Sequence, residues 1–379
     1  MIKRTPPMGW NTWNTFAHDI NEELLKKTAD KIVESGLKDV GYEYVIIDDC
    51  WSMRERDKDG RLVADPVKFP SGMKALGDYL HSKGLKFGIY SCVGTYTCEK
   101  FPGSFDYEFL DAQTFAEWGV DYLKYDFCFK PASVSGQTCY RRMSTALANC
   151  GRDILFNTCS WGDEETHKWI NSIHAHAWRS TGDIFDNWKS VEDLFLKQFN
   201  LIGYGGENCF NDMDMLVVGM NGVGRVGLGG MTDDEYSTHF DIWAFMASNL
   251  IIGCDVNKVD KKYIDLLSNK EIIAINQDEA VRQPFIVNDH RQYKIMGRCL
   301  ANGDMAFLFV NLSDEEANAN SFCFNLDAIG LNRITGKTLY VRELHTGEEW
   351  KITNGVFDIA KLKLKAHCSA LFRAKLVDL

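Results

Sequence analysis

Through its first three hundred residues the chain alternates short β-rich runs with longer helical patterns. That alternation admits few folds, because strands separated by helices must lie parallel in one sheet. Tyr42-Glu43-Tyr44-Val45-Ile46-Ile47 reads as a buried strand. Before it, Asn21 can cap a helix whose first turn carries Glu22 and Glu23, with Leu25, Ala29, Ile32 and Val33 on one face and Gly36 at its end. The same spacing predicts a helix over 73–82 leading to a strand over 86–90, and a helix over 106–118 leading to a strand over 121–125. Further strands are expected over 154–157, 175–178 and near 250–252. Polar or ionisable residues close many of these strands: Asp48 and Asp49, Cys92, Asp126, Ser160, then Arg179 and Asp183. In a (β/α)₈ TIM barrel those ends meet on one face, so one site can draw on nearly every strand. A doubly wound sheet would gather its site at a single switch point instead.

A barrel needs about 250 residues, and the chain has 379. From about Asp289 the texture changes to short alternating strands, over 305–310, 338–341 and 362–372, joined by Gly and Asn turns. The expectation is an α/β protein with a catalytic barrel over 1–288 and a C-terminal antiparallel β-sandwich over 289–379, the latter a stabilising module with sugar binding as its alternative role. A formal charge of −11 opposes attraction to nucleic acid or anionic membrane, and a neutral substrate suits it better. Ten Trp residues suit the stacking of sugar rings, although most Trp side chains are simply core. Met1 to Pro7 run straight into a motif with no signal-peptide pattern, so the chain reads as cytoplasmic, or as secreted if a leader has been trimmed. The twelve Cys show no CxxC pattern, no HExxH or P-loop is present, and neither metal nor cofactor is expected.

Hydrolysing a glycosidic bond with retention takes one carboxylate to attack the anomeric carbon and a second carboxyl to protonate the leaving oxygen and then activate water. Asp126 ends the apolar run Tyr122-Leu123-Lys124-Tyr125, where Lys124 on the same strand face can hold it ionised. Asp183 follows Trp178-Arg179-Ser180-Thr181-Gly182, with Arg179 able to grip a sugar hydroxyl. Taken alone, each aspartate also reads as a helix cap or an ion-pair partner.

The neighbouring motifs resemble glycoside hydrolase family 27, the α-galactosidases and α-N-acetylgalactosaminidases. They are Pro6-Pro7-Met8-Gly9-Trp10-Asn11-Thr12-Trp13-Asn14, Asp48-Asp49-Cys50-Trp51, Lys86-Phe87-Gly88-Ile89-Tyr90, Pro102-Gly103-Ser104 and the two aspartate segments. The resemblance implies Asp126 as nucleophile and Asp183 as general acid/base. It places Trp10, Asp48, Asp49, Tyr90, Cys92, Lys124, Ser160, Arg179 and Met215 around a galacto-configured sugar or glycoconjugate, with Asp48 on its 4- and 6-hydroxyls. It also implies a Cys98–Cys128 disulfide. By residue type alone Trp10 is equally a core residue.

Departures from the family pattern are informative. Ala17 stands where relatives often carry the partner of Cys50, and Cys92 stands where they usually carry Asp, so a substitute Cys50–Cys92 disulfide is expected, with two buried thiols as the alternative. Phe210 and Met213 replace the usual Trp and Pro, and 219–230 reads as a glycine-rich insertion reshaping the far side of the pocket. Ser160 replaces the Glu that binds the 2-hydroxyl, as in members acting on N-acetylgalactosamine, but Asp163 replaces their accompanying Ala. The expectation is therefore an exo-acting α-galactosidase, with an α-N-acetylgalactosaminidase, a β-L-arabinopyranosidase and an inactive galactoside-binding protein as alternatives, and with homo-oligomerisation open.

Overall fold

A computed structural model describes residues 5–317, 322–332 and 334–379. Eight parallel strands form one sheet: β1 (Met8–Asn11), β2 (Tyr44–Ile46), β3 (Lys86–Cys92), β4 (Tyr122–Asp126), β5 (Leu155–Cys159), β6 (Ala177–Arg179), β7 (Phe210–Asp212) and β8 (Leu250–Ile252). Each pairs with its sequence neighbour from β1 to β7, and β8 returns to β1. The barrel closes between β7 and β8 through the segment after β7. There the Leu216 N–H donates to Ile251 O (2.7 Å), and the Gly253 N–H donates back to Leu216 O (2.9 Å).

The pleat sorts side chains to the two faces of the barrel wall. Tyr44, Ile46, Tyr122, Leu155, Met215 and Ile251 form a small cluster inside it. Their strand neighbours Val45, Leu123, Tyr125, Phe156 and Ile252 join the large core beneath the helices. The expected helix after Asn21 runs Glu22–Glu34, with the Asn21 side chain accepting from the Leu24 N–H, and Gly36 takes up a left-handed φ of 80° just beyond it. Strands β1 and β7 carried no periodic signal, at four and three residues.

The second unit is an antiparallel sheet ordered Glu349–Lys351, Lys337–Glu343, Ser369–Asp378, Met305–Asn311, Tyr293–Cys299 and Phe285–His290, beside a two-stranded ribbon of Cys323–Asn325 and Val356–Asp358. Phe307, Phe309, Phe322, Phe324, Phe357 and Phe372 fill it. The strand expected over 362–372 begins only at Ser369, because Lys363 and His367 adopt left-handed backbone (φ 46° and 59°) that interrupts an extended run.

The barrel helix Asp233–Phe245 packs against strands Met305–Asn311 and Ser369–Asp378. Its buried Asp241 accepts from the His345 ring (2.9 Å) and from the Ser369 hydroxyl (2.7 Å). The Asp241 charge, against the cost of burial, lifts the His345 pKa from 6.5 to about 9. A histidine raised in this way adds stability that is complete below pH 6.5 and lost as pH rises through about 9, here about 3 kcal/mol. His345→Gln should therefore lower the urea-unfolding free energy strongly at pH 6 and much less at pH 10. An equal loss at both pH values would mean the pair is uncharged.

Candidate active site

A pocket with about 470 Å³ of empty space, open mouth included, lies at the carboxyl ends of the barrel strands and is lined by Asp48, Asp49, Tyr90, Lys124, Asp126, Arg179, Asp183 and Met215. Residues as far apart as Asp48 and Met215 meet there because they lie near or just past the carboxyl ends of their strands. Asp126 ends β4 and is 6% exposed. One of its oxygens accepts the Phe127 N–H at 2.9 Å. Burial pushes its carboxyl up from 3.8 to about 6, against the pull of the Lys124 charge and the Phe127 N–H. Lys124 itself grips Asp48 (Nζ to Oδ2, 2.7 Å) rather than Asp126. Burial works against the Lys124 charge, but Asp48 outweighs it and holds the ammonium well above its usual value. Asp48 also accepts from the Asn11 amide (2.8 Å), so its carboxylate is fixed in orientation. Burial likewise lifts Asp49 to about 6, although its two oxygens accept the Cys50 and Glu99 N–H groups.

Asp183 lies in the turn after β6, with its side chain 58% exposed. Arg179 reaches it with Nη2 (3.0 Å) and reaches Asp214 with Nη1 (2.9 Å). Burial pushes Asp183 up, but the Arg179 and Lys124 charges and the Arg179 hydrogen bond prevail, leaving it below the usual carboxylate range. Of the two, the more basic carboxylate is therefore Asp126.

Cys98 and Cys128 are bonded, with Cα atoms 5.2 Å apart. The bridge ties the loop after β3 to the loop after β4. A glycine is required at the crossing, since a Cβ on Gly94 would sit 2.1 Å from Cys128 O.

Three expected residues stand elsewhere. Trp10 is fully buried, its indole donating to Cys254 O (2.8 Å) and its ring meeting Phe16, because β1 points it outward into the helix layer. Trp13, three residues on and at the start of the short helix Trp13–Phe16, lines the pocket instead. Cys92 and Cys50 are free thiols, so the expected bridge between them is absent; the Cys92 thiol donates to Cys128 O (3.0 Å). Ser160 is fully buried with its hydroxyl against Thr166 Oγ1 (2.5 Å), and the next residue, Trp161, faces the pocket with φ 55°.

Asn14, Asp214 and Val226 complete the wall. The Asn14 amide nitrogen and Arg179 Nε are buried without a protein partner. Asp214 carries a left-handed φ of 82° and accepts the Ile184 N–H (2.8 Å), which holds the Asp183 turn in place. Val226 brings the glycine-rich 219–230 segment to the pocket. Buried Asp186 anchors that segment by accepting the Gly222 N–H (2.6 Å) and the Tyr236 hydroxyl (2.8 Å).

Residues 5–278 match the family model described as Alpha galactosidase A. This chain belongs to glycoside hydrolase family 27. Among curated family 27 relatives, Alpha-galactosidase 2 of Arabidopsis thaliana is 46% identical over 86% of this chain and 80% of its own. The crystal structure of alpha-galactosidase I from Mortierella vinacea covers 98% of this chain and 96% of its own, at 33% identity and TM-score 0.89. An alpha-galactosidase from Saccharomyces cerevisiae, solved with raffinose, covers 98% of each chain at 29% identity and TM-score 0.87. The family 27 fold accounts for both units, barrel and C-terminal sheet.

Proposed function

We propose that this enzyme removes terminal α-D-galactose with retention, Asp126 attacking the anomeric carbon while Asp183 protonates the leaving oxygen. The observation that carries the reading is the pairing of a buried strand-end carboxylate, Asp126, with a solvent-reaching one, Asp183. The nucleophile needs a dry, fixed position at the pocket floor, whereas the acid/base must exchange protons with water between the two half-reactions. Curated relatives named as α-galactosidases support the substrate class, as does the raffinose complex of the yeast enzyme. Asp48, fixed by Lys124 and Asn11, offers its acceptors to sugar hydroxyls.

The active form carries one proton on the Asp126–Asp183 pair, residing on Asp183. Burial of Asp126 and the Arg179 contact of Asp183 by themselves favour that proton on Asp126. A substrate hydroxyl that takes the Arg179 donor frees Asp183 to hold it. The pair loses its proton as pH rises through about 6, so kcat/KM should fall about tenfold per pH unit above that value and also fall at low pH, where the pair takes up a second proton. A kcat/KM profile flat from pH 5 to 8 would contradict this assignment. The reading itself is tested by proton NMR of an aryl α-galactoside digest, which should show α-galactose as the first product. β-Galactose first, or turnover of the aryl α-N-acetylgalactosaminide alone, would refute it.

A further inference from the structure

Half of the twelve residues in the 219–230 segment are glycine, and only Met220 and Val226 bury their side chains. Such a segment has much backbone freedom to lose and little apolar surface to order it. Its order comes instead from one residue of another loop. The Asp186 N–H donates to Val226 O (3.0 Å), and the Asp186 carbonyl accepts the Gly230 N–H (2.9 Å). Its carboxylate accepts the Gly222 N–H (2.6 Å) and the Tyr236 hydroxyl (2.8 Å), and Tyr236 in turn accepts the Asn221 N–H (2.7 Å). The segment so held presses on the pocket wall. Its Val226 N–H donates to Asn14 O (3.2 Å), and a Cβ on Gly224 would sit 2.8 Å from that same oxygen. Asp186 is fully buried, and burial pushes its carboxyl up against the pull of Gly222 and Tyr236. A carboxylate in so costly a place, three residues from Asp183, points to a role in the site rather than to stability.

We infer that Asp186 is a positioning residue for proton transfer: it locks the turn that carries Asp183 to the 219–230 segment and so fixes where the acid/base stands. The inference rests on the assignment of Asp183 as general acid/base. The Asp183 side chain is more than half exposed, so it takes its place from its turn rather than from packing. That turn is tied down on one side by the Ile184 N–H on Asp214 (2.8 Å) and on the other by Asp186. The nucleophile and the sugar-binding carboxylate have anchors of their own: the Phe127 N–H holds Asp126, and Lys124 and Asn11 hold Asp48. Loosening Asp186 therefore displaces the acid and spares the nucleophile. Proton transfer needs hydrogen-bond reach, so a shift of about 1 Å costs it far more than it costs binding.

The test measures kcat/KM of wild type and Asp186→Asn over substrates of graded leaving-group basicity: α-galactosyl fluoride, a series of aryl α-galactosides, and an α-1,6-linked galactosyl-glucose disaccharide. The amide keeps an acceptor for only one of the two donors. Asp186→Asn should leave the fluoride within about threefold of wild type and lower the disaccharide by about thirtyfold, mainly through kcat, so that the plot against leaving-group pKa steepens. Tyr236→Phe should act in the same direction by less, and adding it to Asp186→Asn should cost nothing further. Gly227→Ala loosens the segment with Asp186 intact, since its Cβ would meet Gly222 O at 2.3 Å, and it should give the same selective loss. A residue that merely stabilises the fold lowers the active fraction for every substrate alike, so equal losses throughout, or an unchanged plot, would overturn the inference. Wild-type turnover of the fluoride tests the α-galactosidase reading separately. An enzyme silent on every substrate refutes that reading and this one together, whereas an active enzyme whose slope ignores Asp186 refutes this one alone.

Discussion

Asp126→Asn should lower kcat on any α-galactoside by a factor on the order of 10⁴ or more, since the amide cannot attack the anomeric carbon and no other group in the pocket is placed to replace it. The same substitution should leave the fold at least as stable. Burial lifts the Asp126 carboxyl from 3.8 to about 6. An acid raised in this way costs stability that grows as pH climbs from 3.8 to about 6 and then stays constant, about 3 kcal/mol at pH 7. A neutral isostere removes the charge that causes the cost, so the variant should melt about 1–4 °C higher at pH 7 and at the wild-type temperature near pH 3. Retained turnover would unseat Asp126 as the nucleophile. A melting temperature lowered equally at both pH values would show that its carboxylate contributes packing rather than strain.

Asp183→Ala should separate substrates by their leaving groups. General acid–base assistance contributes about 10²–10⁴-fold, and a sugar alcohol leaves poorly without a proton. Turnover of an oligosaccharide should therefore fall by about 10³-fold or more, whereas α-galactosyl fluoride, whose departure needs little assistance, should keep most of its first-step rate. Pre-steady-state kinetics should then show a burst of fluoride release followed by slow hydrolysis, because the base for the second half-reaction is also gone. Added azide, which needs no deprotonation, should speed that second step and yield α-galactosyl azide. Equal losses on both substrates, with no burst and no azide product, would give Asp183 a binding role alone. The Arg179 contact at 3.0 Å makes that alternative concrete, since removing Asp183 leaves that guanidinium nitrogen only its bond to Thr181 O (3.2 Å).

Much of the barrel was legible because long amphipathic segments announce themselves through periodicity: the helix Glu22–Glu34 and strands β3, β4 and β5 fall within a few residues of their expected places. Strands β1 and β7 did not, since three or four residues cannot express a period and only pairing with their neighbours makes them strands. Site chemistry divides along the same line. Asp48, Asp126 and Arg179 were found because a polar residue closing an apolar run is visible locally. Asp214 was missed because its strand was, and Trp10 was placed at the sugar by the family resemblance, since nothing local says which face of β1 turns inward. The sequence by itself determined the fold class and the second unit, which rest on patterns a few residues to a few turns long, whereas the roles of the two carboxylates came from the family resemblance. Only the tertiary structure decided which carboxylate is buried, that Lys124 serves Asp48, that Cys50 and Cys92 stay apart, and that Ser160 turns toward Thr166. Burial, charge pairing and disulfide geometry depend on distances between segments far apart in the chain, and no local pattern encodes those.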